Sequence, residues 1–127
     1  MHITTTLVTE TPNGKETITQ TFQGTLQQQG RLMLLAYDDP ELGVTRLFIH
    51  PDRARLVRKG AFTTQMIFLP NATTHNDYHS PGGAFDLAIQ TTSFRLCPTP
   101  PNRCLELHYT LSINDEEVAQ NQLIVEF

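Results

Sequence analysis

Turn-forming residues recur along this chain at short, regular intervals. Pro12-Asn13-Gly14 is followed by Gln29-Gly30, Asp38-Asp39-Pro40, Pro51-Asp52, Gly60, Pro70-Asn71, Pro81-Gly82-Gly83, Pro98 to Asn102 and Asn114-Asp115. Glycine reaches backbone angles that other residues avoid, proline fixes one of them, and Asn and Asp hydrogen-bond their own backbone, so each cluster punctuates regular structure. Segments of about six to ten residues remain between them, the length of strands in an all-β sandwich or barrel. Gly60 is expected to occupy a turn with positive φ.

Side-chain order supports strands. Ile18, Gln20 and Phe22 fall on one face and Thr17, Thr19 and Thr21 on the other. Phe85, Leu87 and Ile89 alternate with Asp86, Ala88 and Gln90, and Leu105, Leu107, Tyr109 and Leu111 with Glu106, His108, Thr110 and Ser112. A period of two leaves one face buried and one wet, as in antiparallel neighbours joined by tight turns. No segment carries a helical stripe longer than two turns. The pattern predicts strands over 2–9, 15–24, 31–37, 44–50, 54–59, 61–69, 75–79, 84–92, 104–113 and 117–126. Such a meander removes its exposed edges by closing on itself. The expected fold is therefore all-β: one closed antiparallel up-and-down β-barrel of about eight to ten strands, a single domain over 1–127.

Composition narrows the function. The chain has 127 residues and a net charge of −4, with 17% charged residues and 18 threonines. It lacks the basic surplus that phosphate contacts require, so nucleic acid is not an expected partner. It has no apolar run long enough for a membrane span. Met1 to Glu10 shows no basic and then apolar leader pattern, so a cytoplasmic location is expected. Cys97 and Cys104 flank Pro98 to Arg103; reduced thiols are favoured in that compartment, and a disulfide stays geometrically open. No glycine-rich phosphate loop, nucleophile elbow or EF-hand spacing is present, and no cofactor is expected.

Leu56-Val57-Arg58-Lys59-Gly60 leading into Met66-Ile67-Phe68, then Tyr78, Pro81 to Leu87 and Thr91, and finally Leu107 to Leu111 and Leu123-Ile124-Val125, form a combination that resembles the YwiB-like family of small bacterial proteins, a domain of unknown function grouped with the lipocalin-like calycins. The resemblance spans nearly the whole chain. It implies a bacterial cytoplasmic protein with a closed, calycin-like barrel, and supplies no catalytic mechanism. The proline-rich Cys97–Cys104 loop departs from the family pattern.

Arg58 is the leading candidate for binding. It shares parity with Ala54 and Leu56, so it points inward if Leu56 does. A guanidinium inside a barrel is costly unless paired, and its fork suits a ligand carboxylate. The structural alternatives are reversed parity, a side chain that snorkels out to solvent, or pairing with a core carboxylate. Arg46 follows the same argument unless Leu47 and Ile49 form the buried face. Gln65, Tyr78 and Tyr109 would add hydrogen-bonding groups, and Phe62, Met66, Phe68 and Phe85 an apolar lining. The expected ligand is small and amphipathic or anionic. His75, Asp77 and His79 fall on one strand face and form a weaker candidate for metal binding or base chemistry. The segment around Gln65 to Leu69 is apolar on both faces, which suggests a covered exterior and a homodimer or partner protein. A barrel filled by its own side chains is the rival to ligand binding.

Overall fold

A computed structural model describes residues 1–60 and 63–127. Ala61 and Phe62, which open the strand expected over 61–69, lie outside the described residues. Among the described residues the chain forms ten strands: β1 (His2–Thr11), β2 (Gly14–Gln29), β3 (Leu32–Asp39), β4 (Gly43–Ile49), β5 (Ala54–Lys59), β6 (Thr64–Phe68), β7 (Ala72–Ser80), β8 (Gly83–Cys97), β9 (Cys104–Ile113) and β10 (Glu116–Glu126). They lie in the order β6-β5-β4-β3-β2-β1-β10-β9-β8-β7, each antiparallel to its neighbour. No helix among them is long and apolar enough to cross a membrane.

The all-β expectation holds, with three strands longer than expected by four residues or more. β2 runs on to Gln29, β8 to Cys97, and β7 begins at Ala72. β2 pairs with β1 through Gly14–Gln23 and with β3 through Gly24–Gln29, so it belongs to two sheets and carries the wall from one to the other. The change of partner falls at Gly24. A Cβ there would stand 2.5 Å from the Ala36 carbonyl oxygen and 2.5 Å from Ile3 Cδ1. Only glycine lets the backbones approach this closely at the bend. Bulges at Thr92 and Val118 add curvature to β8 and β10.

The barrel is nearly closed. At the seam, β6 and β7 meet through a bridge in which Thr63 and His79 exchange backbone hydrogen bonds of 3.0 Å. Further along, Thr74 Oγ1 donates to the Ile67 carbonyl at 2.6 Å. Gly60 adjoins this end of β6 but lacks the positive φ expected of it. Its constraint is space, since a Cβ would lie 2.8 Å from the Leu42 carbonyl oxygen. Positive φ appears instead at Asn114 (50°) and Asp115 (67°), the two-residue hairpin between β9 and β10, where both central residues must turn left-handed to match the strand twist.

Register sorts the side chains. Leu35, Leu47, Leu56 and Met66 form one inward rung across β3–β6, and Met33, Ile49, Ala54 and Phe68 the next. Val125 and Leu105, then Leu123 and Leu107, continue the core on β10 and β9. Burying a leucine contributes about 1.5–3 kcal/mol, so these rungs hold the barrel together. Threonines cover much of the outer wall of β1 and β2, where Thr4 and Thr21 hydroxyls lie 3.1 Å apart and those of Thr6 and Thr19 3.3 Å apart.

Candidate functional site

β5 places Ala54, Leu56 and Arg58 on its inner face, as their shared parity predicts. Arg58 pairs with Thr45 on β4 and Thr64 on β6, and Thr45 pairs with Tyr37 on β3. Tyr37, Thr45, Arg58 and Thr64 thus form a polar inner rung next to the leucine rung. Three of the four are buried, Thr64 with 6% of its surface exposed, and Arg58 is half-buried. Among the described residues no carboxylate forms an ion pair with Arg58. Asp39, two residues beyond Tyr37 on the same face, spends its Oδ1 on the Glu41 and Leu42 amides of its own turn, at 2.8 and 3.1 Å. The Nε of Arg58 is buried without a partner, as is the Thr64 hydroxyl.

A second polar rung lies on the opposite wall. In a ring of ten strands β5 stands across from β10, and β3 and β4 across from β8 and β9. On that opposite wall Thr91, Tyr109 and Asn121 are paired in register and point inward. Thr91 Oγ1 and Asn121 Oδ1 are buried without partners, and so is Asn76 Nδ2, on β7 beside the seam. Each such group costs about 1–3 kcal/mol, and in folded proteins one is accounted for by ordered water or a bound molecule. Burial pushes both tyrosine hydroxyls up from their ordinary pKa. At Tyr37 the neighbouring Arg58 pulls the other way and Asp39 adds to the rise. At Tyr109 Asn121 and the charge of Arg58 both pull down. Both phenols stay neutral and can donate or accept.

Of the five residues singled out for ligand contact, the structure brings three inside. Arg58, Tyr78 and Tyr109 share the inner face. Tyr78 sits near Phe85, ring centroids 6.4 Å apart, at the end where β7 turns into β8. Arg46 and Gln65 do not join them. They are paired with Val57 on the outer face, because Leu47 and Ile49 take the core side of β4 and Met66 and Phe68 that of β6. Thr64, Thr91, Asn121 and Tyr37 are inward polar groups that the sequence reading passed over. Each keeps step with buried apolar neighbours two residues away, which was the available signal.

His75, Asp77 and His79 do share the outer face of β7, but they do not converge. His75 Nδ1 turns to Asp86 Oδ2 on β8 at 3.3 Å. Among the described residues no three His, Cys, Asp or Glu side chains are grouped to hold a metal ion. Cys97 and Cys104 are free and oppose each other as the last rung of the β8–β9 ladder. Burial and the neighbouring Cys97, Glu106 and Glu126 raise the Cys104 thiol pKa, with Arg95 opposing.

The model of a domain of unknown function, DUF1934, matches residues 1–125. The chain belongs to the DUF1934 family. The fold of this DUF1934 chain is that of the crystal structure of the ywiB protein from Bacillus subtilis, with a TM-score of 0.86 at 17% sequence identity. The match covers 98% of this chain and 87% of that one. No curated protein matches the sequence.

Proposed function

We propose that this barrel binds a small amphipathic or anionic molecule within its polar inner rungs, with Arg58 receiving the anionic head. The observation that carries the reading is the Arg58 guanidinium, inward-facing, with a buried unpartnered Nε and no carboxylate of its own. A carboxylate or phosphate would accept its parallel N–H groups and relieve that cost. Tyr109 and the orphaned Thr64, Thr91 and Asn121 supply further polar contacts around the head. Met66, Phe68 and Phe85 offer apolar surface for a tail. Eight strands enclose an interior just wide enough for side chains, and ten strands widen it. Thr64 and Asn76 adjoin the β6–β7 seam, which among the described residues carries fewer backbone pairs than the other strand junctions and offers an entry route.

The test uses decanoate, decyl phosphate and the neutral decanol as probes, followed by thermal melting and native mass spectrometry. A ligand at about 100 times its Kd adds about 2.7 kcal/mol, a rise of several degrees in Tm. The anionic probes should raise Tm and decanol should not. Arg58→Met should abolish the rise, Arg58→Lys weaken it, and Arg46→Met on the outer face preserve it. If neither anion raises Tm or is carried into the gas phase, the binding reading fails.

One observation favours a second reading, a barrel filled by its own side chains. Phe68 on β6 and Tyr109 on β9 are not neighbours in the wall, yet their rings meet edge-to-face with centroids 4.9 Å apart. That contact closes part of the interior. Under this reading no probe binds, and ordered waters satisfy the polar rungs.

A further inference from the structure

We propose that the outer face of β4–β6 is a docking surface for an acidic, extended peptide segment studded with apolar side chains. This surface is separate from the inner rungs and does not depend on the binding reading. Its core is three cross-strand pairs in succession: Val44 with Lys59, Arg46 with Val57, and Phe48 with Arg55. Each pair sets one apolar side chain against one cation, and the order reverses from rung to rung. Along β4 the outward sequence is apolar, cation, apolar; along β5 it is cation, apolar, cation. These six residues line a groove of about 530 Å³ on the outer wall. Val44, beside the β3–β4 turn, is 47% exposed.

Charge complementarity identifies the occupant. The whole chain has nine basic against 13 acidic residues, yet three of the nine gather here. Among the described residues none of the three forms an ion pair, although Asp38 stands beside Val44 across β3. A second copy docking through the same face would bring two sets of three cations together, which disfavours a symmetric dimer. A single-stranded nucleic acid needs a series of aromatic faces for base stacking, and this groove has the one aromatic ring of Phe48, with the Arg55 guanidinium over one of its faces at 4.4 Å. A membrane surface does not follow a groove. An extended peptide repeats its same-side residues about every 6.7 Å, the spacing of Val44, Arg46 and Phe48 along their strand. Alternating acidic and apolar side chains then meet alternating cations and apolar floor.

The experiment is fluorescence anisotropy on the full chain with a labelled peptide of alternating glutamate and valine. Saturable binding is expected, weakening as salt rises from about 50 to about 500 mM because the contacts are exposed to screening. The double variant Arg46→Glu, Lys59→Glu should weaken it about tenfold or more. Arg46→Lys with Lys59→Arg should keep it. Lys15→Glu, a single charge reversal on the β1–β2 hairpin, should leave it within about twofold. The proposal is overturned if the peptide does not saturate, if Lys15→Glu weakens binding as much as the double variant, or if a single-stranded oligonucleotide or anionic lipid vesicles displace the peptide. It is equally overturned if the chain dimerises in sedimentation and Arg46→Glu abolishes the dimer.

Discussion

Two neighbouring rungs of the same wall behave in opposite ways. Leu35, Leu47, Leu56 and Met66 cross β3–β6 as an apolar band, with Leu47 only 1% exposed. One rung toward Lys59, the same strands present Tyr37, Thr45, Arg58 and Thr64. Backbone pairing is continuous through both, so strand geometry does not distinguish them. Burial of the first contributes about 1.5–3 kcal/mol per leucine. The second contains a guanidinium nitrogen and a hydroxyl without partners, at about 1–3 kcal/mol each against folding. The leucine rung is explained by stability; the arginine rung is not, and the proposed binding would account for it.

The largest effect separating the rungs should come from Leu47→Ala, with a loss of about 2–5 kcal/mol in urea unfolding. A loss below about 1 kcal/mol would mean that the leucine rung is not the main support. Next comes alkaline pH. Burial raises Tyr37 and Tyr109 in the folded state, so their contribution is fully present below the unfolded value of about 10 and lost as pH rises through the folded values. Each buried phenol steepens the fall by up to about 1.4 kcal/mol per pH unit. Tyr109→Phe should flatten the curve above pH 10; an unchanged slope would place the Tyr109 hydroxyl in water. Thr64→Val, a near-isostere, should leave stability within about 1 kcal/mol of the parent or raise it, because it removes an orphaned hydroxyl. A loss above about 2 kcal/mol would show that the hydroxyl has a partner after all. The smallest effect is expected from Arg46→Met on the outer wall, within about 0.5 kcal/mol by the same unfolding assay.

The difference between the rungs was half legible in the sequence. Ala54, Leu56 and Arg58 keep one parity, and the neighbouring Arg55 and Lys59 make the other face plainly wet, so the inward arginine could be read directly. β4 was ambiguous because Val44 and Phe48 on one side are as apolar as Leu47 and Ile49 on the other. Packing against β3 and β5 decides it, and Arg46 goes outside. Gln65 follows for the same reason, since Ile67 beside it is apolar while Met66 and Phe68 take the core. Thr91 and Asn121 were hidden differently. In a chain with 18 threonines a buried one carries no mark of its own, and only its step with Leu87 and Ile89 gives it away. The bulge at Val118 shifts the register just before Asn121. That the two polar rungs sit on opposite walls depends on the closure of ten strands, a long-range property that no local window contains.

The most direct test of an anion-binding inner rung is the Arg58 Nε–H resonance in a ¹H–¹⁵N correlation spectrum, assigned by its loss in Arg58→Lys. On titration with decanoate, the resonance should move and saturate while those of Arg46 and Arg55 stay in place. If decanoate leaves the Arg58 signal unmoved at concentrations that shift other resonances, Arg58 is not the receiver of the anion.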